Sequence, residues 1–311
     1  MKDLKVIFMG TPEFCVPILK ALIENCNVIA VVTQPDKKVG RHQEISYSPI
    51  KKVAIENNIK VFQPIKIKEE YEEINLLNPD IIITCAYGQI IPEQILDKPK
   101  FGCINVHASL LPKLRGGAPI HKAIMYGYLK TGITIMYMDK GMDTGDIISK
   151  VEVDIDKNDT AETLHDKLMK ESVPLLIETL PSIISGTNKR EKQQEDKVTY
   201  AYNISRQEEH TDFNKSSLEV YNQIRSLNSW PGAYAILDDK NIKLWFCKIT
   251  NNNFNLKPGT IVNVDKDGIE VVTKDSSVLI TELQLPGKKK VNIKDFINGI
   301  RKEDYIGKIF K

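Results

Sequence analysis

The sequence is short of cysteine, with five in 311 residues, and Cys15, Cys26, Cys85, Cys103 and Cys247 form no C-x-x-C pair and have no histidine at ligand spacing. That excludes a disulfide framework and a zinc ribbon, and the five read as reduced core residues. No uncharged apolar run approaches the roughly 20 residues needed to cross a bilayer. Met1-Lys2-Asp3 leads directly into the strand-like Leu4 to Met9 with no apolar leader, so a soluble, cytoplasmic protein is expected. An excess of charge is missing too: 43 basic residues stand against 41 acidic ones, and nucleic-acid contacts must come from local clusters. There is no internal repeat. What is present is an ordinary globular composition, 41% hydrophobic and 27% charged. At this length a single core has usually stopped growing, so two domains are expected.

Short β-branched runs at Val6 to Met9, Val28 to Thr33, Ile81 to Cys85 and Cys103 to His107 alternate with amphipathic stretches at Pro49 to Asn58 and Lys68 to Asn78. This rhythm predicts an α/β domain, a Rossmann-like, doubly wound, mostly parallel sheet with its ligand crevice beyond the strands' C-terminal ends. Further strands are expected at Thr131 to Met138 and Asp146 to Val153. Thr160 then caps a helix over Glu162 to Glu178. Residues 1–185 are read as the catalytic domain and the polar run 186–206 as an exposed linker. Residues 207–311 carry a helix near Ser217 to Leu227 and five short strands. These are Ala233 to Leu237, Ile242 to Ile249, Thr260 to Val264, Ile269 to Thr273 and Val278 to Leu285, with a turn at Asp267-Gly268. Five short strands suggest a small, OB-like β-barrel.

Two segments could carry chemistry. In the run from Gly102 to Pro119, Asn105 and His107 lie two apart on a strand and share one face, so both can address one reacting atom near the crevice. The glycine-punctuated loop Met138 to Asp146 offers Asp139, Asp143 and Asp146 as acid or base. A carboxylate brought to His107 favours the imidazolium. His121, His165 and His210 have no partner at metal-ligand spacing, and no metal is expected. Trp230 and Trp245 are read as core.

The segments Ile104-Asn-Val-His-Ala-Ser-Leu-Leu-Pro112, Arg115-Gly-Gly-Ala-Pro-Ile120 and Gly141-Met-Asp-Thr-Gly-Asp146 resemble the formyltransferases that use 10-formyltetrahydrofolate. The likeness extends to Gly10 to Phe14, Thr33-Gln-Pro-Asp36, Ala86 to Ile90, Val198 to Ala201 and Trp230-Pro231, and so to almost the whole chain. It lies nearest the branch whose acceptor is initiator methionyl-tRNA. The resemblance implies that Asn105, His107 and Asp143 are catalytic. It implies that Ser109, Leu110, Leu111 and Pro112 line the folate site, with Tyr87, Gly88, Gln89, Ile90 and Met142 about the pterin. It also implies that the loop from Gln34 to Ser48 enters the tRNA acceptor end through Arg41, with Lys38 beside it. His42-Gln43-Glu44 depart there from the commoner glycine and lysine pattern.

On this reading the amine of charged methionine attacks the formyl carbon while the Asn105 amide and protonated His107 stabilise the oxygen, and Asp143 supports the imidazolium and assists proton removal. Lys288, Lys289 and Lys290 form the sharpest basic cluster of a C-terminal region with 17 Lys and Arg against 14 Asp and Glu over 206–311. They could meet tRNA phosphates. A monomer is expected, since no long apolar stripe marks a subunit interface. Two other readings stay open: a formyltransferase or hydrolase of the same superfamily acting on a small substrate, such as an amino-sugar nucleotide, and a noncatalytic tRNA- or folate-binding module.

Overall fold

Uninterrupted apolar runs can be satisfied only where both faces of a sheet are covered, and that is where they lie. The computed structural model describes residues 1–39 and 44–311. The chain forms two compact units. The first holds 1–119, 130–154 and 165–202, the second 120–129, 155–164 and 203–311.

The first half runs β1 (Lys5–Gly10), α1 (Val16–Asn25), β2 (Asn27–Val32), β3 (Lys37–Val39), β4 (Glu44–Ser46), α2 (Pro49–Glu56), β5 (Lys60–Phe62), α3 (Glu72–Asn75), β6 (Ile81–Cys85), α4 (Glu93–Leu96) and β7 (Cys103–His107). Then come α5 (Pro119–Met125), β8 (Lys130–Tyr137), β9 (Ile147–Asp154) and α6 (Ala161–Ser185). The first unit's sheet has the order β5-β2-β1-β6-β7-β8-β9. It is parallel from β5 to β7 and antiparallel at β8 and β9. Every residue of β6 is buried, whereas the edge strand β9 alternates. Ser48 caps α2 by accepting from Lys51 N, with Pro49 at the first helical position.

Three expectations need correction. The helix read over Lys68 to Asn78 forms only at Glu72–Asn75. Glu69, Glu72 and Glu73 repel at helical spacing, and nearby backbone donors go elsewhere, Lys66 N to Glu70 and Ile67 N to Gln89. The stretch 34–48, read as lacking structure, contains an antiparallel pair, Lys37 with Ser46 and Lys38 with Ile45, in strands too short to show a period. Residues 187–202, read within an exposed linker, belong to the first unit. Glu191 exchanges both backbone hydrogen bonds with Ile147, and Arg115 N and O bond to Thr199 and Ala201. A strand that adds only at isolated bridges needs no apolar periodicity, so none was visible.

In the second unit α7 (Arg206–Glu209) and α8 (Ser217–Ser226) both begin with complete capping boxes, at Ser205 with Glu208 and Ser216 with Glu219. β10 (Ala233–Leu237), β11 (Lys240–Thr250), β12 (Ile261–Val264), β13 (Ile269–Val272) and β14 (Ser277–Gln284) follow, then β15 (Val291–Asn292) and α9 (Ile293–Ile297). The antiparallel order is β10-β11-β14-β13-β12, with β15 on β14. Residues 307–311 close this sheet into a small barrel. Phe310 N donates to Gly259 O and Ile261 N to Lys308 O at the β12 edge, while Lys311 exchanges both backbone bonds with Ile236 on β10. Phe310 is buried against Phe213 within one apolar cluster.

Trp245 is buried as expected, but Trp230 is 68% exposed. Its ring meets His121 edge-on, and the interior position is held by Asn228, whose amide donates to Trp245 O at 2.7 Å. All five cysteines are free and buried. No helix among the described residues is long and apolar enough to cross a membrane.

Candidate active site

Strand alternation carries Asn105 and His107 to one face of β7, as their spacing requires. Thr84, paired with Asn105 in the neighbouring β6, donates its hydroxyl to Asn105 Oδ1 at 2.8 Å. With its one hydrogen on Oδ1 rather than on Ile104 O, 3.2 Å from the same hydroxyl, Thr84 turns the amide oxygen toward the sheet. The NH2 group is left to donate outward.

His107 is buried, and its Nε2 lies 3.0 Å from Leu114 O. A carbonyl only accepts, so Nε2 carries a hydrogen and Nδ1 is the nitrogen at which the ring gains or loses its second proton. Nδ1 faces Asp143 Oδ2 at 3.7 Å, longer than a direct hydrogen bond and close enough for strong attraction once the ring is charged. Leu114 holds its carbonyl in place from a left-handed conformation at φ 62°. Thr199 supports that turn, taking Leu114 N on its hydroxyl at 2.9 Å and Arg115 N on its carbonyl.

Asp143 reaches this position from a loop that must double back. Tyr137, the last residue of β8, pairs with Ile104 in the first half of β7, so the chain returns along the strand to come level with His107. The return is tight: a Cβ on Gly145 would stand 2.0 Å from Tyr137 O, and Asp143 itself has φ 54°. Gly116 N donates to Asp143 Oδ2 at 2.8 Å. Gln193 Nε2 donates to the carbonyls of Asp143 (2.7 Å) and Gly145 (2.8 Å). Its other end accepts two N–H groups of Arg115, a guanidinium only 1% exposed that also pairs with Glu195 at 2.9 Å.

The residues expected about a folate divide by role. Ser109 is buried and closes its turn onto Lys113 O at 2.6 Å. Leu111 packs with Met136 and Ile147, Leu110 and Pro112 are half-buried, and Leu111-Pro112 is a cis peptide. Gln89 spends its amide on Ile67 N and Pro64 O. Tyr87 packs in the core, where burial first and Glu70 second push its phenol above its ordinary value, and its hydroxyl has no hydrogen-bond partner among the described residues. Gly88 turns the chain at φ 89°. Ile90 and Met142 are the exposed apolar side chains of this set.

Of the residues expected to meet tRNA, Arg41 lies outside the described residues. Lys38 is exposed on β3. Lys288, Lys289 and Lys290 are exposed in the turn after β14, but Lys290 is paired with Glu282 at 2.5 Å and lies over the Trp245 ring. The Thr33 to Asp36 motif is structural: Gln34 Nε2 donates to Tyr87 O, and Lys51 and Gln63 bind Asp36, hydrogen bonds that hold its carboxyl below the usual range.

Sequence reasoning gave no role to Thr84, Leu114, Arg115, Gln193 or Thr199. Arg115 and Thr199 sit inside segments that carry the family likeness, which could have flagged them. Gln193 sits in a polar run with no signal of its own.

The site is a buried His107 facing a half-buried Asp143 beside an oriented amide, and its sequence belongs to a known class. The chain belongs to the formyl transferase family: residues 4–180 match the family model for formyl transferase, and 203–301 that for its C-terminal domain. It is 50% identical over 303 residues, 96% of each chain, to a protein of Bacillus subtilis named methionyl-tRNA formyltransferase. Its fold is similar to that of an N-formyltransferase from Helicobacter canadensis solved with folinic acid and dTDP-3-aminofucose. The TM-score there is 0.68 at 23% identity, over 93% of this chain and all of the other. It is also similar to HypX from Aquifex aeolicus solved with tetrahydrofolic acid. That match has a TM-score of 0.64 at 16% identity and covers 96% of this chain, which spans about half (47%) of HypX.

Proposed function

We propose that the chain transfers the formyl group of 10-formyltetrahydrofolate to the α-amine of methionine on initiator methionyl-tRNA, a cytoplasmic step that prepares translation initiation. The observation that carries the chemistry is the Asn105 amide, held by Thr84 with its NH2 group outward, on the same strand face as a His107 that can exchange a proton only at Nδ1, toward Asp143. The acceptor comes from the relative of matching length, whose identity extends through both units.

The reaction joins the amine nitrogen to the formyl carbon and breaks that carbon's bond to the donor nitrogen. Asn105 donates to the formyl oxygen as charge gathers there. In place of the protonated His107 expected from the sequence, His107 Nδ1 takes the proton the amine loses, and Asp143 steadies the imidazolium so formed before the proton passes to the departing nitrogen. The turns at 87–90 and 142 fit a flat, partly apolar donor, since Ile90 and Met142 are the exposed apolar groups there. Lys38, Arg41, Lys288 and Lys289 supply phosphate contacts.

The test is formyl transfer with three acceptors: methionine-charged initiator tRNA, free methionine and an amino-sugar nucleotide. Transfer to the charged tRNA alone is expected. Transfer to the sugar alone overturns the acceptor, and transfer to none overturns the activity.

A further inference from the structure

The polar stretch after α6 contributes a side chain to the site that no apolar pattern announces. Gln193 links the buried Arg115 to the backbone of the Asp143 loop, and all four of its hydrogen bonds are directional. Arginine only donates and carbonyls only accept, so the amide has one orientation: Oε1 to Arg115, Nε2 to the carbonyls of Asp143 and Gly145. Arg115 in turn is fixed by Glu195 and, through its backbone, by Thr199 and Ala201. The loop it serves is held at φ 54° at Asp143, a conformation that L side chains resist and that surrounding contacts must impose.

We propose that Gln193 is a positioning residue: by tying the carbonyls on either side of Thr144 to the buried Arg115 guanidinium, it sets the Asp143 carboxylate against Gly116 N and His107. The inference rests on the reading that Asp143 serves catalysis, but its structural half does not. Gln193 touches no reacting atom and acts only through the loop.

Gln193→Glu separates the two halves of this link. A carboxylate of equal length still accepts from Arg115, and more strongly, but it offers no N–H to either carbonyl and repels both. If the residue served only to satisfy Arg115, the variant would be as stable and as active as the parent. A displaced carboxylate instead predicts a kcat lower by about 10- to 100-fold, the cost expected when a catalytic group moves by up to an ångström, with KM for donor and for charged tRNA little changed. The Gly116 amide, whose hydrogen bond reports the place of the Asp143 carboxylate, is expected to exchange its hydrogen faster in the substrate-free variant.

Faster Gly116 exchange together with the kcat loss supports the proposal. Unchanged exchange overturns it whatever the kinetics do, as does a rise confined to KM. If the parent protein transfers no formyl group to charged tRNA, the functional reading fails, while Gly116 exchange alone still decides the positioning. Gln193→Met, of similar length and without a polar end, repeats the measurement should the carboxylate prevent folding.

Discussion

At the scale of single residues, the site is a set of orientations imposed by donors and acceptors, most firmly at His107 and Gln193, whose partners are carbonyls and a guanidinium. Replacing Asn105 with Ala removes the proposed oxyanion donor and is expected to lower kcat by about 100- to 1,000-fold, measured as single-turnover formyl transfer; near-normal turnover of the folded variant would remove Asn105 from the mechanism. Thr84→Val leaves the amide in place and removes the hydroxyl that donates to it. One net hydrogen bond is worth about 0.5–1.5 kcal/mol, so a loss of about two- to tenfold is expected. An effect as large as that of Asn105→Ala would mean that Thr84 acts in some other way. Asn105 and His107 could be paired from sequence because strand alternation has a period of two. Arg115 could not be placed, because arginine is among the residues least often fully buried, and its burial depends on Gln193 and Glu195, some eighty residues away.

Among elements, the parallel strands were legible because burial on both faces leaves a continuous apolar run. The hairpin at β3 and β4 and the bridges of 187–202 were not, because each pairs too few residues to show a period. Barrel closure by residues 307–311 was likewise silent, yet it joins both sheet edges. Phe310→Ala empties a buried position there and is expected to cost about 3–5 kcal/mol, seen as a lower denaturation midpoint; a shift within error would show that the seam carries little of the stability. The turns of this unit lean on carboxylates. Asp265 is held below its ordinary 3.8 first by Asp267 N, and Asp275 likewise first by Ser217 N. A carboxyl lowered by folding adds stability that is present above its unfolded value and lost as pH falls through its folded one. The second unit should therefore weaken as pH drops below about 4, the ordinary carboxylate range, and Asp275→Asn should flatten that part of the stability profile. An unchanged profile would discount the turn.

For the whole molecule, the proposed function and a near-neutral charge together leave tRNA affinity to local lysines. Reversing Lys288 and Lys289 to Glu should weaken binding and lower the salt slope by about 0.7–0.9 for each phosphate no longer neutralised. Lys290→Glu alone should do less, since Glu282 already neutralises that ammonium; equal effects would point to a different face. The boundary read at 186–206 followed composition, whereas the chain is divided by where residues pair, so segments from three parts of the sequence make each unit. The seam at 307–311 also sets an order of events during synthesis. The first unit's last residues, Thr199 and Ala201, complete the turn beneath His107 as soon as they are free to pair. The outer edge of β10, where Ile236 exchanges both backbone bonds with Lys311, stays unpaired until Lys311 has been made, which at about 5–20 residues per second comes on the order of ten seconds later. During that interval the nascent chain exposes two unpaired strand edges, and a stall or truncation just short of the seam would leave them open to aggregation or to a chaperone.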